Sequence, residues 1–200
     1  MQTTTDTVPR RGPQDVLEDL LQGNRRYADV KMIRPNQGIE WRRKLVAGQN
    51  PSATILTCSD SRVVPEIMFD KGLGDIFVLR VAGNVIDDMI LGSIEYAVGH
   101  LGTPLVMVLG HSGCGAVKAT LADTPVEGHA VSIATAIQQS ADSSRDEPGD
   151  HVDNTARANA RRMADQLKES KPVLAGPVST GKVKVVAAFY RLDTGMVEIL

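Results

Sequence analysis

The stretches Cys58-Ser59-Asp60-Ser61-Arg62 and His111-Ser112-Gly113-Cys114 hold both cysteines of the chain and one of its four histidines. Cys, His and Cys form a soft donor set that suits a tetrahedral metal ion. Three protein atoms grip the ion and a fourth position stays open, the pattern of catalytic rather than structural zinc. Two thiolates balance a divalent charge, and they make a bound water less acidic than three imidazoles would. Asp60 follows the first cysteine by two residues and Arg62 follows by two more. A carboxylate there can accept a hydrogen bond from water on the metal, or take the fourth position itself. Paired with a guanidinium it stays ionised and can only accept. The chemistry implied is activation of water for a hydration.

Each of the three donors, taken singly, reads equally well as a buried core residue. What separates the set from that reading is position, because Cys58 and His111 each follow a strand-like run. Gly110, Gly113 and Gly115 surround His111 and Cys114 and permit a tight backbone. A closed structural site would need a fourth Cys or His close by. His100, His129 and His151 lack the spacing and read as surface histidines.

The elements that must position these residues alternate in type. Apolar, β-branched runs predict strands over 53–57, 75–80, 104–109, 183–190 and 196–200, the last two joined through Asp193-Thr194-Gly195. Helical periodicity predicts helices over 14–27, 86–101, 114–121, 131–140 and 154–169. In the first, Gly23-Asn24 weakens the end. In the second, Met89, Ile90, Ile94, Ala97, Val98 and Leu101 form one apolar stripe. Polar residues 141–150, with Pro148-Gly149, read as a surface loop. Strands alternating with helices imply a single α/β domain over 13–200, with a mostly parallel central sheet and an antiparallel C-terminal edge strand. In such sheets ligands gather beyond the carboxyl ends of the strands, which gives the two halves of the motif a reason to meet.

Composition narrows the partners. A formal net charge of −2 gives no reason to expect nucleic acid, and no apolar run reaches a membrane span. Residues 1–12 are polar, Thr-rich and without an apolar core, so they read as a disordered tail rather than a secretory signal. Two cysteines at strand ends suit a reducing cytoplasm better than a disulfide.

With these motifs in place, the chain resembles the β-class carbonic anhydrases from about residue 14 to 200. The resemblance implies one Zn²⁺ per chain on Cys58, His111 and Cys114, with Asp60 and Arg62 as the catalytic dyad. The reaction would be reversible hydration of carbon dioxide to bicarbonate and a proton by zinc-bound hydroxide. It further implies that Gln49 hydrogen-bonds bicarbonate, that Phe77 lines the substrate pocket, and that Tyr96 reaches the site across a dimer interface. Ala82 stands where a valine is common. Members with a bicarbonate-controlled shutter often carry Trp three residues before the first cysteine. That position is Ile55 here, although Arg80 and Tyr96 match the other two shutter residues, so the plant-like, open subtype is favoured. The family also implies a homodimer or homotetramer with an N-terminal helical arm wrapping the neighbour, a role the leucines of 14–27 would suit.

Three rivals stay open on sequence alone. A hydrolase of CS₂ or COS needs the same fold and zinc site. A non-catalytic zinc-binding protein would not need the Asp60–Arg62 pair. A thiol phosphatase needs a Cys-x5-Arg loop, and the spacing here is Cys-x3-Arg.

Overall fold

The computed structural model describes residues 11–122 and 124–200. Its centre is β3 (Leu105–His111), buried along its whole length. A continuous apolar run of this kind needs cover on both faces, and so belongs in mid-sheet. It takes that place among β1 (Ala53–Thr57), β2 (Ile76–Arg80), β4 (Lys184–Tyr190) and β5 (Val197–Ile199), in the order β2-β1-β3-β4-β5. All neighbours pair in parallel except β4 and β5, where Tyr190 lies opposite Val197 in an antiparallel pair. The single α/β domain with one antiparallel edge, expected from sequence, is what forms.

Eight helices are described: α1 (Pro13–Ala28), α2 (Ile39–Lys44), α3 (Pro65–Met68), α4 (Asp88–Tyr96), α5 (Gly115–Leu121), α6 (Ala130–Ser143), α7 (His151–Glu169) and α8 (Ala175–Ser179). They divide between the sheet faces according to the strand alternation. Leu105, Met107 and Leu109 point with Ile55 toward α1 and α3, where Leu20, Met68 and Phe69 close the core. Val106 and Val108 point with Leu56 the other way, against Ile94 of α4 and Ala160, Met163 and Leu167 of α7. Each large aliphatic side chain fully buried in this way stabilises the fold by roughly 1.5–3 kcal/mol. No helix among the described residues is long and apolar enough to cross a membrane.

Several expectations change in detail. The anticipated N-terminal tail lies almost wholly outside the described residues. Val16, Leu17 and Leu20 of α1 are buried in the chain's own core rather than left for a neighbour, because apolar periodicity records that a face is covered but not by which chain. Gly23 and Asn24 do not weaken that helix. Gly23 makes room for the Phe69 carbonyl, and the Asn24 side chain donates to the carbonyls of Met68 and Gly195 and accepts from the Val197 amide. Asp87 caps α4 by accepting from the Ile90 amide, and the helix loosens into a π turn at Ala97–Leu101 before Gly102 ends it in a left-handed conformation. Met89 falls off the expected stripe and is 82% exposed. The loop foreseen over 141–150 is shorter, because α6 runs on to Ser143. Ser144 does not face water: it is buried and bonds the Ser140 carbonyl and the Thr155 hydroxyl inside the α6–α7 contact. Helices α2, α3 and α8 are too short to leave a periodic signal. Outlying α2 carries Trp41, whose indole N–H donates to the Leu73 carbonyl at 2.8 Å.

Asn24 thus ties α1, α3 and the C-terminal hairpin together through three backbone groups. Asn24→Ala is expected to lower the unfolding free energy by about 2–3 kcal/mol, since it strands buried donors and acceptors. The check is a urea midpoint that falls with the slope unchanged. A midpoint within error of the parent would show that the bridge contributes nothing.

Candidate metal centre

Strand order alone brings the donors together. Chain direction from β1 goes to β2 on one side and later to β3 on the other, so the gap beyond β1 and β3 is the switch point of the sheet. Thr57 pairs with Leu109 across that boundary. Cys58 is the next residue after β1, His111 is the last residue of β3, and Cys114 is the N-cap of α5.

The ligand atoms of Cys58, His111 and Cys114 lie within 4.8 Å of one another, and all three residues are buried. The two Sγ atoms are 4.0 Å apart. Two thiolates on one tetrahedral zinc, each at about 2.3 Å, would stand about 3.8 Å apart, so the spacing fits a shared ion. The imidazole is oriented to match. Its Nδ1 lies 3.0 Å from the Ser112 carbonyl, which can only accept, so Nδ1 carries the proton and Nε2 presents a lone pair. That Nε2 is buried and has no hydrogen-bond partner among the described residues. An orphaned acceptor beside two thiols is what a cation would satisfy. The thiols already behave as a unit: hydrogen bonding to Cys114 pulls Cys58 down to about 4, against the opposing effect of burial and with help from the Gly83 amide. Cys114 is pushed up in turn by the same hydrogen bond and by burial.

Asp60 sits at the rim of this cluster, with Oδ2 4.0 Å from His111 Nε2. Both of its oxygens are engaged by Arg62, whose Nε donates to Oδ1 at 2.9 Å and Nη2 to Oδ2 at 2.7 Å. The Arg62 amide adds a third bond at 3.0 Å. The Arg62 guanidinium holds the carboxyl well below the usual carboxylate range, with burial opposing. Arg80, from the end of β2, fixes the loop by donating to the carbonyls of Cys58 at 3.1 Å and Asp60 at 2.6 Å. On the other side, Asp153 of α7 accepts from the Gly113 amide at 2.9 Å, holding the turn between His111 and Cys114.

Residues 53–197 match the family model described as carbonic anhydrase. A tetrameric β-carbonic anhydrase from the filamentous ascomycete Sordaria macrospora superposes with a TM-score of 0.74 at 25% identity, covering 93% of this chain and 97% of that one. The chain belongs to the β-carbonic anhydrase family. It is 39% identical to the carbonic anhydrase of Mycolicibacterium smegmatis, over 96% of this chain and 95% of that protein. It is 38% identical to carbonic anhydrase 2 of Mycobacterium tuberculosis strain H37Rv, over 94% and 93%.

The remaining expected residues of this β-carbonic anhydrase fold do not all converge on the cluster. Ala82 does lie beside it, since the next residue, Gly83, donates its amide to Cys58 Sγ at 3.3 Å. Phe77 is opposite Thr54, four residues before Cys58 along β1, which places it about 13 Å down the strand at the usual rise per residue. Its ring meets Tyr96 of α4 with centroids 6.3 Å apart, and Tyr96 is 47% exposed. Gln49 is exposed in the loop before β1. Of the histidines outside the motif, His100 packs on Tyr96, while His151 is half-buried with Nε2 3.4 Å from the Ala141 carbonyl, not the surface residue its spacing suggested. Sequence reasoning missed Gly83, Asp153 and the loop-holding use of Arg80. The run Ala82-Gly83-Asn84 straight after a strand was the one available signal for a turn over the site.

The donor geometry makes a direct forecast. The purified protein should carry about one divalent metal ion per chain, and Cys114→Ser should strip most of it. Elemental analysis of both proteins checks this, and full occupancy in the variant would mean that other atoms hold the ion.

Proposed function

We propose that the protein catalyses the reversible hydration of carbon dioxide to bicarbonate and a proton, with one Zn²⁺ on Cys58, His111 and Cys114. The observation that carries this reading is the buried, unpartnered Nε2 of His111, facing two thiols and rimmed by an aspartate that an arginine immobilises. Zinc bound there would acidify a water in its open position and so supply the nucleophile for the carbon of CO₂. The chain's own residues do the rest. Asp60, kept ionised by Arg62, can only accept, so it takes the proton of the attacking oxygen into a hydrogen bond and turns a lone pair toward the substrate. Arg62 holds that carboxylate by two bonds and competes with the metal for it, which supports the open, plant-like subtype. Arg80 keeps the Cys58–Asp60 backbone from shifting as the oxygen changes charge.

The substrate side is completed, in this reading, by a second copy of the chain. Ala82 lines the pocket from its own side. Phe77 is half-buried on the edge strand β2, too far along to serve its own donors, and Tyr96 is exposed beside it. Met89 adds another uncovered apolar side chain on the same helix. An apolar patch of this sort on α4 and β2 suits a homodimer in which Phe77, Tyr96 and Gln49 reach the partner's bicarbonate. Dimers pairing into tetramers would match the tetrameric neighbour in Sordaria macrospora. Two thiols that must stay reduced to bind metal suit the cytoplasm.

Stopped-flow CO₂ hydration with a pH indicator tests the activity. Asp60→Asn and Arg62→Ala are each expected to lower kcat by about 10²-fold or more, the first by adding a donor and the second by freeing Asp60 to occupy the metal's open position. The double variant should be about as impaired as the worse single one, because the pair acts as a unit. Multiplicative losses would mean the two side chains work independently. For the second copy, Tyr96→Ala should cut kcat/KM by about tenfold while leaving the metal content at the parent level. A crystal structure of the dimer with Tyr96 remote from both donor sets would overturn its assignment.

A further inference from the structure

A buried relay of polar groups runs into the metal centre from α7. Gly83 donates its amide to Cys58 Sγ at 3.3 Å, while its carbonyl accepts from Nδ2 of Asn159 at 2.8 Å. The two bonds flank one Cα, so together they fix the rotation of this residue. Gly83 has φ +70°, a conformation that favours glycine, and a Cβ there would come within 2.7 Å of Ile137. Asn159 is 1% exposed and lies 76 residues away in sequence. Its own orientation is dictated from behind. Arg162 Nε donates to Ser140 Oγ at 3.0 Å, and a guanidinium can only donate. The single hydroxyl proton of Ser140 is therefore free for Oδ1 of Asn159, 3.3 Å away, and the amide must turn its NH₂ toward Gly83. Every bond in the series Arg162, Ser140, Asn159, Gly83, Cys58 points the same way.

We infer that Asn159 is a positioning residue for the Cys58 thiolate. By pinning the Gly83 carbonyl it keeps the Gly83 N–H on Sγ, and that N–H sets how much electron density the sulfur gives to a bound metal. Groups that hold a ligand from behind in this way commonly change metal affinity by about 10–100-fold when removed. The inference rests on the metal reading proposed above, and goes beyond it in assigning a residue of α7 that touches neither metal nor substrate.

The test uses the full chain loaded with cobalt(II), whose thiolate charge-transfer bands in the near ultraviolet report the sulfur donor. Zinc affinity is measured alongside by chelator competition. Asn159→Leu, close in volume but without the amide, is expected to shift the charge-transfer band and weaken zinc about tenfold or more. Ser140→Ala, which keeps Asn159 but releases its orientation, should move both readings the same way by less. Met163→Ala removes a buried side chain from the same helix outside the relay. It should lower the melting temperature yet leave band and affinity at parent values. If Asn159→Leu does not fold, Ser140→Ala decides, and parent-like readings there overturn the inference. So does an Asn159→Leu protein with an unchanged band and affinity, or a Met163→Ala protein that shifts them equally. A parent protein that takes up no metal overturns the metal reading itself, a different result from these.

Discussion

Parallel pairing of β1 with β3 is the contact on which the rest depends. The chain leaves β1 toward one edge of the sheet and re-enters beside it through β3, which forces two strand ends to lie together. Anything that follows those ends faces a common point. Cys58 and His111 occupy that point because of the sheet's winding order, and Cys114 joins them because one tight turn leads from β3 into α5. The apolar side chains of β3, packed on both faces, supply the stability that keeps the pairing in register.

That stability is needed because the centre itself is unfavourable as a piece of packing. A buried imidazole nitrogen with no partner costs about 1–3 kcal/mol. The two sulfurs stand 4.0 Å apart, and the hydrogen bond between them draws Cys58 toward the thiolate. The surrounding polar groups reduce the penalty without removing it. Arg80 and Asp153 take up loop carbonyl and amide groups, and Gly83 gives an amide to sulfur. These groups hold the donors in the arrangement that a shared cation needs.

How much of this could be read in the sequence depended on the range of the interaction. The strands were legible because their apolar runs carry their own signal, and the donor set because three ligand-type residues stood at the ends of two such runs. The Asp60–Arg62 pair was legible because both partners lie within one short loop. Asn24 misled, since a Gly-Asn pair in a helix looks like an ending until Met68 and Val197 are seen to need its amide. Ser144 misled for the same reason: a hydroxyl that is satisfied by Ser140 and Thr155 between two helices has the composition of a loop. The loop-holding roles of Arg80 and Asp153 could not be read, because what each holds is the backbone of a segment distant in sequence.

The chain has a single tryptophan, and its setting decides what intrinsic fluorescence can report. Trp41 does not sit in either face of the sheet. It is on α2, tethered by one hydrogen bond to the Leu73 carbonyl, with the Lys44 ammonium 5.9 Å from its ring centroid. Its emission therefore follows the docking of the segment around α2 against the turn before β2. The segment meets the turn before β2 through Trp41, Asn36 and Leu45, and contacts this local can open while the sheet stays intact. Tryptophan emission and far-ultraviolet circular dichroism would then follow two different events in the same molecule, and the optical signal most often taken for global unfolding would be a gauge of one outlying strap.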